Sequence, residues 1–211
     1  RKGKNVNVVM PGIFPDFLKW MDGADRIFLY DRQRSISNML IANADLICCL
    51  DFNALSRLDD LGIAVGRSSA KKIMIDHHLD PEDFCDVCIS RPKASSTCEL
   101  VFRVIHAIGG MRFMTLHCAE DLYAGMCTDT GGFTYNSNDP DIYVIISELM
   151  RLGIDKDLIY RKLYNNYTEL RYRLMGHILL NKLQVFPDTH ASVFDLSLIH
   201  ISEPTRRRGI S

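Results

Sequence analysis

The sequence predicts an α/β fold, a mainly parallel sheet with helices on both faces, and three observations predict it. Short apolar runs of strand type recur and end in acids: residues 45–50 lead to Asp51, and residues 71–75 lead to Asp76-His77-His78. A further apolar segment, residues 115–127, is helical in type and closes on Thr128-Asp129. From Pro140 onward the apolar spacing is that of helices. A buried strand that stops at a polar cluster delivers those side chains to the carboxyl edge of a sheet, where open α/β sheets bind ligands. Asp51, Asp76-His77-His78 and Asp129 therefore converge as one hard-metal site, because carboxylates with an occasional imidazole suit Mn²⁺ or Mg²⁺ better than a thiolate-preferring metal.

Taken in order, residues 6–10 read as a strand that Pro11-Gly12 stops at once. Residues 14–21 are apolar and partly aromatic, with Trp20 as core or packing lid. Residues 26–30 are a second strand, and residues 35–42 a helix with Ile36, Met39 and Leu40 spaced to bury one face. Residues 46–50 are continuously apolar, as expected of a central parallel strand covered on both faces. Arg57-Leu58-Asp59-Asp60 reads as an exposed helix end or loop. Strands are expected at 72–76 and 87–89, separated by a loop in which Pro81 prevents continuation.

Ser96 and Glu99 fit a capping box at the start of a helix that runs into Leu100. The free N–H groups of such a helix start also hold phosphate, so Ser96 has both a capping and a ligand reading. Past the helix at 115–127, Gly131-Gly132 either lets the backbone approach a ligand closely or turns the chain. Helices follow at 141–151, 156–164 and 169–181, and strand signals return near 185–186 and 191–194. Residues 198–208 look like translated sequencing-adapter DNA, so 196–211 is read as a non-native tail.

The chain has 211 residues and 47% hydrophobic content, enough for a buried core. A net charge of −1 gives no global basic field, which disfavours tight binding to long duplex nucleic acid but not to a small phosphorylated substrate. Seven cysteines, an odd number scattered through apolar segments, read as reduced, buried thiols and point to the cytoplasm. Cys85 and Cys88 have CxxC spacing, but no second pair follows at zinc-ribbon distance. No apolar run approaches the roughly 20 residues of a membrane span.

Asp76-His77-His78 resembles the signature triplet of the DHH phosphoesterase family, and the likeness extends over most of residues 1–195. Asp51 in Cys49-Leu50-Asp51-Phe52-Asn53 is similar to the family's preceding strand-end acid. Asp129 in Thr128-Asp129-Thr130-Gly131 is similar to its later one, with Ser95-Ser96-Thr97 between. Within the family the chain resembles the bacterial NrnA-type proteins, which act on very short RNAs and on pAp, adenosine bearing 5′ and 3′ phosphates. Asn136-Ser137 after Gly132-Phe133-Thr134-Tyr135 supports that subgroup.

The resemblance implies a cytoplasmic phosphoesterase with residues 1–195 as its catalytic domain, two Mn²⁺ ions (Mg²⁺ or Co²⁺ as alternatives) and a small nucleotide or short single-stranded RNA as substrate. In it Asp51 bridges the ions, His77 and Asp129 complete one of them, His78 contacts the scissile phosphate, and Asp76 stands behind to fix an imidazole tautomer. Ser96, Thr97, Gly131 and Gly132 face the substrate. Two cations roughly 3.5–4 Å apart activate a water and offset charge in the transition state.

The resemblance further implies that the family's first motif, a His with two following acids, precedes Arg1 and that a substrate-gripping domain follows Phe194. On that expectation the family-length protein is the enzyme, the present chain alone is inactive, and its uncovered apolar surface favours association into homo-oligomers. Other readings are a pyrophosphatase or a single-strand DNA exonuclease of the same family, or a non-catalytic nucleotide-binding module. The intact set Asp51, His77, His78 and Asp129 argues against the last. His106, His117, His177 and His190 lie outside the motifs and read as surface or core histidines.

Overall fold

The computed structural model describes residues 3–165 and 168–195. The described residues up to Asn165 gather into one compact unit, and residues 168–195 belong to a second. The segment 196–211, read from the sequence as a tail, lies outside the described residues.

In the first unit, β1 (Val9–Met10) pairs in parallel with β2 (Phe28–Leu29). Only the end of the expected strand at 6–10 enters this ladder, and Val6 and Val8 stay exposed. The helix α1 (Arg34–Ala42) lies where its spacing placed it, but its buried face is Ser37 and Ile41 rather than Ile36 and Met39, which are 46% and 56% exposed. Packing decides this: Tyr30, Leu61 and Val65 form the cluster that Ile41 joins, and the Tyr30 hydroxyl donates to Asn38 Oδ1 at 2.9 Å.

β3 (Leu46–Leu50), α2 (Asp60–Arg67), β4 (Lys71–Asp76) and β5 (Val87–Ser90) follow, and the strands form a parallel sheet in the order β3-β4-β5. Met74 pairs with Cys49 on one side and with Cys88 on the other. The parallel sense agrees with the sequence reading, while the described strands of this unit divide into a pair and a trio rather than one sheet. β4 is the covered strand, with Met74, Ile75 and Asp76 buried. β3 is an edge of the trio, and its Leu46 and Leu50 are 48% and 45% exposed, which corrects its assignment as a central strand. An apolar run shows that a strand can be covered, not which neighbour covers it. The sequence did not betray α2, because Gly62 and Gly66 weaken its helical signal. Gly62 is required there: a Cβ would overlap the Leu55 carbonyl oxygen.

Four capped helices complete the unit. They are α3 (Thr97–Ala107), α4 (Leu116–Asp129), α5 (Pro140–Arg151) and α6 (Lys156–Tyr164), with side chains of Ser96, Thr115, Asp139 and Asp155 accepting from first-turn N–H groups. Their core is centred on Phe102, Ala119, Met126, Ile142, Leu149 and Ile159. Trp20 packs against this core with the Lys162 ammonium 4.2 Å from its ring centroid. All seven cysteines are free, but the expectation of uniformly buried thiols needs correction, since Cys48, Cys88 and Cys118 are exposed. His106, His117, His177 and His190 are surface residues.

The second unit holds α7 (Glu169–Asn181), capped by Thr168, and an antiparallel hairpin of β6 (Gln184–Phe186) and β7 (Ala191–Val193). Among the described residues no helix is long and apolar enough to cross a membrane.

Candidate metal centre

The first arm of the site is the end of β3. Asp51 adopts φ 67°, a left-handed conformation that most residues avoid and Asp tolerates. Its N–H still donates to the Ile75 carbonyl at 3.2 Å, so the ladder runs one residue past the strand before the chain turns. Thr97 Oγ1, at the start of α3, donates to Asp51 Oδ1 at 2.8 Å and holds that oxygen in place.

The second arm is the end of β4. Asp76 is fully buried, and its carboxylate accepts from the His78 backbone N–H at 3.0 Å and from His78 Nδ1 at 2.7 Å. A carboxylate only accepts, so this pair keeps the His78 proton on Nδ1 and leaves Nε2 as the outward lone pair. His77 Nδ1 lies 3.3 Å from the Ala94 carbonyl oxygen, which fixes the same tautomer. His77 Nε2 then faces Asp51 Oδ1 at 3.7 Å and Asp129 Oδ2 at 3.9 Å. These separations exceed hydrogen-bonding distance and leave room for a cation among the three atoms. Ligand atoms of Asp51, His77 and His78 all lie within 4.8 Å of one another.

The third arm is the last residue of α4. Burial raises the Asp129 carboxyl above its ordinary range, repulsion from Asp51 adds to the rise, and His77 and His78 oppose it. A carboxylate at a helix C-terminus also meets the negative end of the helix dipole. Two acids that repel each other, one of them on an unfavourable helix end, form an arrangement that a bound cation relieves. Carboxylate oxygens with imidazole nitrogens suit Mn²⁺, Mg²⁺ or Co²⁺, so the residues present fit such an ion. The nearby Cys98 thiol is pushed up to about 12, by burial first and then by Asp129, Asp51 and Asp121, and does not supply a thiolate.

The remaining predicted residues take distinct places. Ser96 is fully buried and its Oγ accepts from Glu99 N–H at 3.0 Å, which is the capping reading. Glu99 reciprocates one residue earlier than a capping box requires, its Oε2 accepting from the Ser95 N–H at 2.7 Å and hydroxyl at 2.8 Å. Thr97 turns to Asp51, as described. Gly131 and Gly132 have φ 56° and 72°, and the space of their missing Cβ atoms is taken by the rings of Tyr135 and Tyr160. Sequence reading marked Asn136 only as a subgroup feature and gave no sign of its contact: Nδ2 donates at 3.2 Å to the Ala94 carbonyl that also faces His77. The separation of 42 positions between Ala94 and Asn136 carries no spacing signal for that link.

A carboxylate–imidazole cluster at the carboxyl edge of a parallel sheet defines a metal-site α/β protein. Residues 4–126 match the N-terminal domain of the DHH family, and the chain belongs to that family. It is 30% identical over 118 residues to a probable bifunctional oligoribonuclease and PAP phosphatase NrnA of Streptococcus mutans, a match covering 56% of this chain and 36% of that protein. It is 26% identical over 169 residues to the bifunctional oligoribonuclease and PAP phosphatase NrnA of Bacillus subtilis, covering 79% of this chain and 51% of that one. The crystal structure of an exopolyphosphatase-related protein from Bacteroides fragilis superposes with a TM-score of 0.91 at 55% identity, covering 92% of this chain and 57% of the other. The chain therefore spans well under two thirds of each of these relatives.

Proposed function

We propose that residues 1–195 are the catalytic domain of a Mn²⁺-dependent phosphoesterase that hydrolyses pAp, short oligoribonucleotides or both. The observation that carries the proposal is the convergence of Asp51, His77 and His78 within 4.8 Å, with Asp129 3.9 Å from His77, in a chain of a metal-dependent family. The names of the S. mutans and B. subtilis relatives support the substrate class.

Asp51, His77 and Asp129 hold the ion. A divalent cation in such a site lowers the pKa of a water and offsets charge on the phosphoryl oxygens. His78 presents Nε2 to the scissile phosphate, Asp76 keeps its proton on the other nitrogen, and Thr97 steadies Asp51. The free thiols fit a reducing compartment, and we place the protein in the cytoplasm.

A second reading, hydrolysis of inorganic pyrophosphate or polyphosphate, is favoured by the exopolyphosphatase-related B. fragilis structure. The test incubates this chain, and the chain extended to the length of its relatives, with pAp, a short RNA, single-stranded DNA, pyrophosphate and polyphosphate. Each is assayed with Mn²⁺, Mg²⁺, Co²⁺ or a chelator. Metal-dependent release of phosphate from pAp, or of mononucleotides from RNA, is expected. Hydrolysis confined to pyrophosphate or polyphosphate would replace the nucleotide reading by the second, and ligand binding without turnover of anything would leave a non-catalytic module.

A further inference from the structure

The loop that leaves Asp129 is unusually constrained. Gly131, Gly132, Phe133 and Asn136 have φ of 56°, 72°, 65° and 45°; the two glycines take this left-handed conformation freely, while at Phe133 it is one that the surroundings must hold. Several contacts determine it. Thr130 is fully buried, and its Oγ1 donates to the Met126 carbonyl at 2.7 Å and accepts from the Phe133 N–H at 2.9 Å. The Phe133 ring packs 5.6 Å from Tyr123 in the helical core, and Ser137 Oγ donates to the Phe133 carbonyl at 2.8 Å. Asn136 closes the loop onto the Ala94 carbonyl beside His77.

Within this pinned segment Tyr135 is 73% exposed. Its backbone N–H is held by the Thr130 carbonyl at 2.9 Å, and one edge of its ring fills the space over Gly131, where a Cβ would lie 2.8 Å from Cδ2 and 2.9 Å from Cε2. The ring is thus seated by the glycine while most of it faces solvent, two residues from Phe133 in the core and one from Asn136 at the metal centre. An exposed aromatic held this firmly has little conformational entropy left to lose on binding a flat partner.

We propose that Tyr135 is the stacking platform for the nucleobase of the substrate, so that Gly131 acts on the substrate through the ring it seats. The inference rests on the nucleotide reading given above and adds to it a base-recognising residue. Stacking of a base on an aromatic side chain is sequence-tolerant, which suits a site that takes different short RNAs.

Equilibrium binding in the presence of Mn²⁺ tests it, with two probes: pAp, and the same sugar bisphosphate without a base. The protein is expected to bind pAp about tenfold more tightly than the base-less probe. Tyr135→Ala removes most of that advantage, whereas Tyr135→Phe and Tyr135→Trp retain it, a pattern that loss of folding would not give. If Tyr135→Ala keeps the full preference for pAp, the stacking role is overturned and the nucleotide reading stands. If the unmodified protein binds both probes equally, the stacking role is overturned and the nucleotide reading is left to the turnover assay above; if it binds neither probe, both are overturned.

Discussion

The helical and the sheet parts of the first unit support the candidate metal centre in different ways. Around α4 the support is a dense apolar core in which Ala119, Met126 and Leu149 are fully buried, and Asp129 is carried on the end of that core. On the sheet side the edge strand β3 is more thinly covered, with Leu46 and Leu50 about half exposed, and the candidate ligands at the strand ends are fixed one at a time by hydrogen bonds: Thr97 to Asp51, Asp76 to His78, Ala94 to His77. Packing fixes a helix as a body, while hydrogen bonds fix individual atoms. Changes on the strand side should therefore act on chemistry, and changes on the helix side on stability.

The largest effect is expected at Asp51. Asp51→Asn keeps a residue that tolerates the left-handed backbone but removes a negative ligand, so metal-dependent turnover of the family-length protein should fall about a thousandfold or more. Thermal unfolding should shift by only a degree or two. Retained turnover would remove Asp51 from the metal centre. Next come two glycines that break the comparison in opposite ways. At Gly62 an added methyl meets the backbone of Leu55, which has nowhere to go, so Gly62→Ala should cost about 3 kcal/mol and lower the melting temperature by roughly 6–12 °C. At Gly125 the added methyl meets the side chain of Cys98, so Gly125→Ala should be comparably costly alone but largely rescued by Cys98→Ala. Absence of that rescue would show that the backbones of α3 and α4, not the sulfur, set their approach.

A smaller effect is expected from Asp76→Asn. The amide can donate to His78 Nδ1, which favours the wrong tautomer, and turnover should fall about 10–100-fold with the metal still bound. Equal losses of turnover and of Mn²⁺ affinity would mean instead that Asp76 supports the ligand set.

Much of this was legible because the informative residues sit at element ends. Strand-end acids, an S-x-x-E helix start and a helix closing on Asp129 are local patterns, and the structure begins α3 where its cap was expected and reproduces β4, β5 and α4 to α7 close to their expected bounds. What the sequence hid is what depends on a neighbour. The same apolar run fits a central or an edge strand, so β3 was misplaced. The face of α1 was misassigned because the groups that bury Ile41 come from Tyr30, just past β2, and from α2. Thr97 drew attention as a substrate contact, while its partner Asp51 lies 46 residues away, a separation no periodicity encodes.

The smallest effect concerns the helix side alone. Asp121, half-buried on α4, has its carboxyl pushed up to about 6, mainly by burial and further by Asp22 and Glu120, with His117 opposing. An acid whose folded pKa lies above its unfolded value of about 3.9 is protonated more readily in the folded chain, so its ionisation opposes folding. That opposition is absent below about pH 4, grows between about pH 4 and 6, and is complete above about pH 6. Asp121→Asn removes it. Because the side chain is only partly shielded from solvent, the gain at pH 7.5 should be modest, about 1 kcal/mol or 2–4 °C in melting temperature, and it should vanish at pH 4. A gain of equal size at both pH values would trace the effect to hydrogen bonding by the new amide rather than to the buried charge.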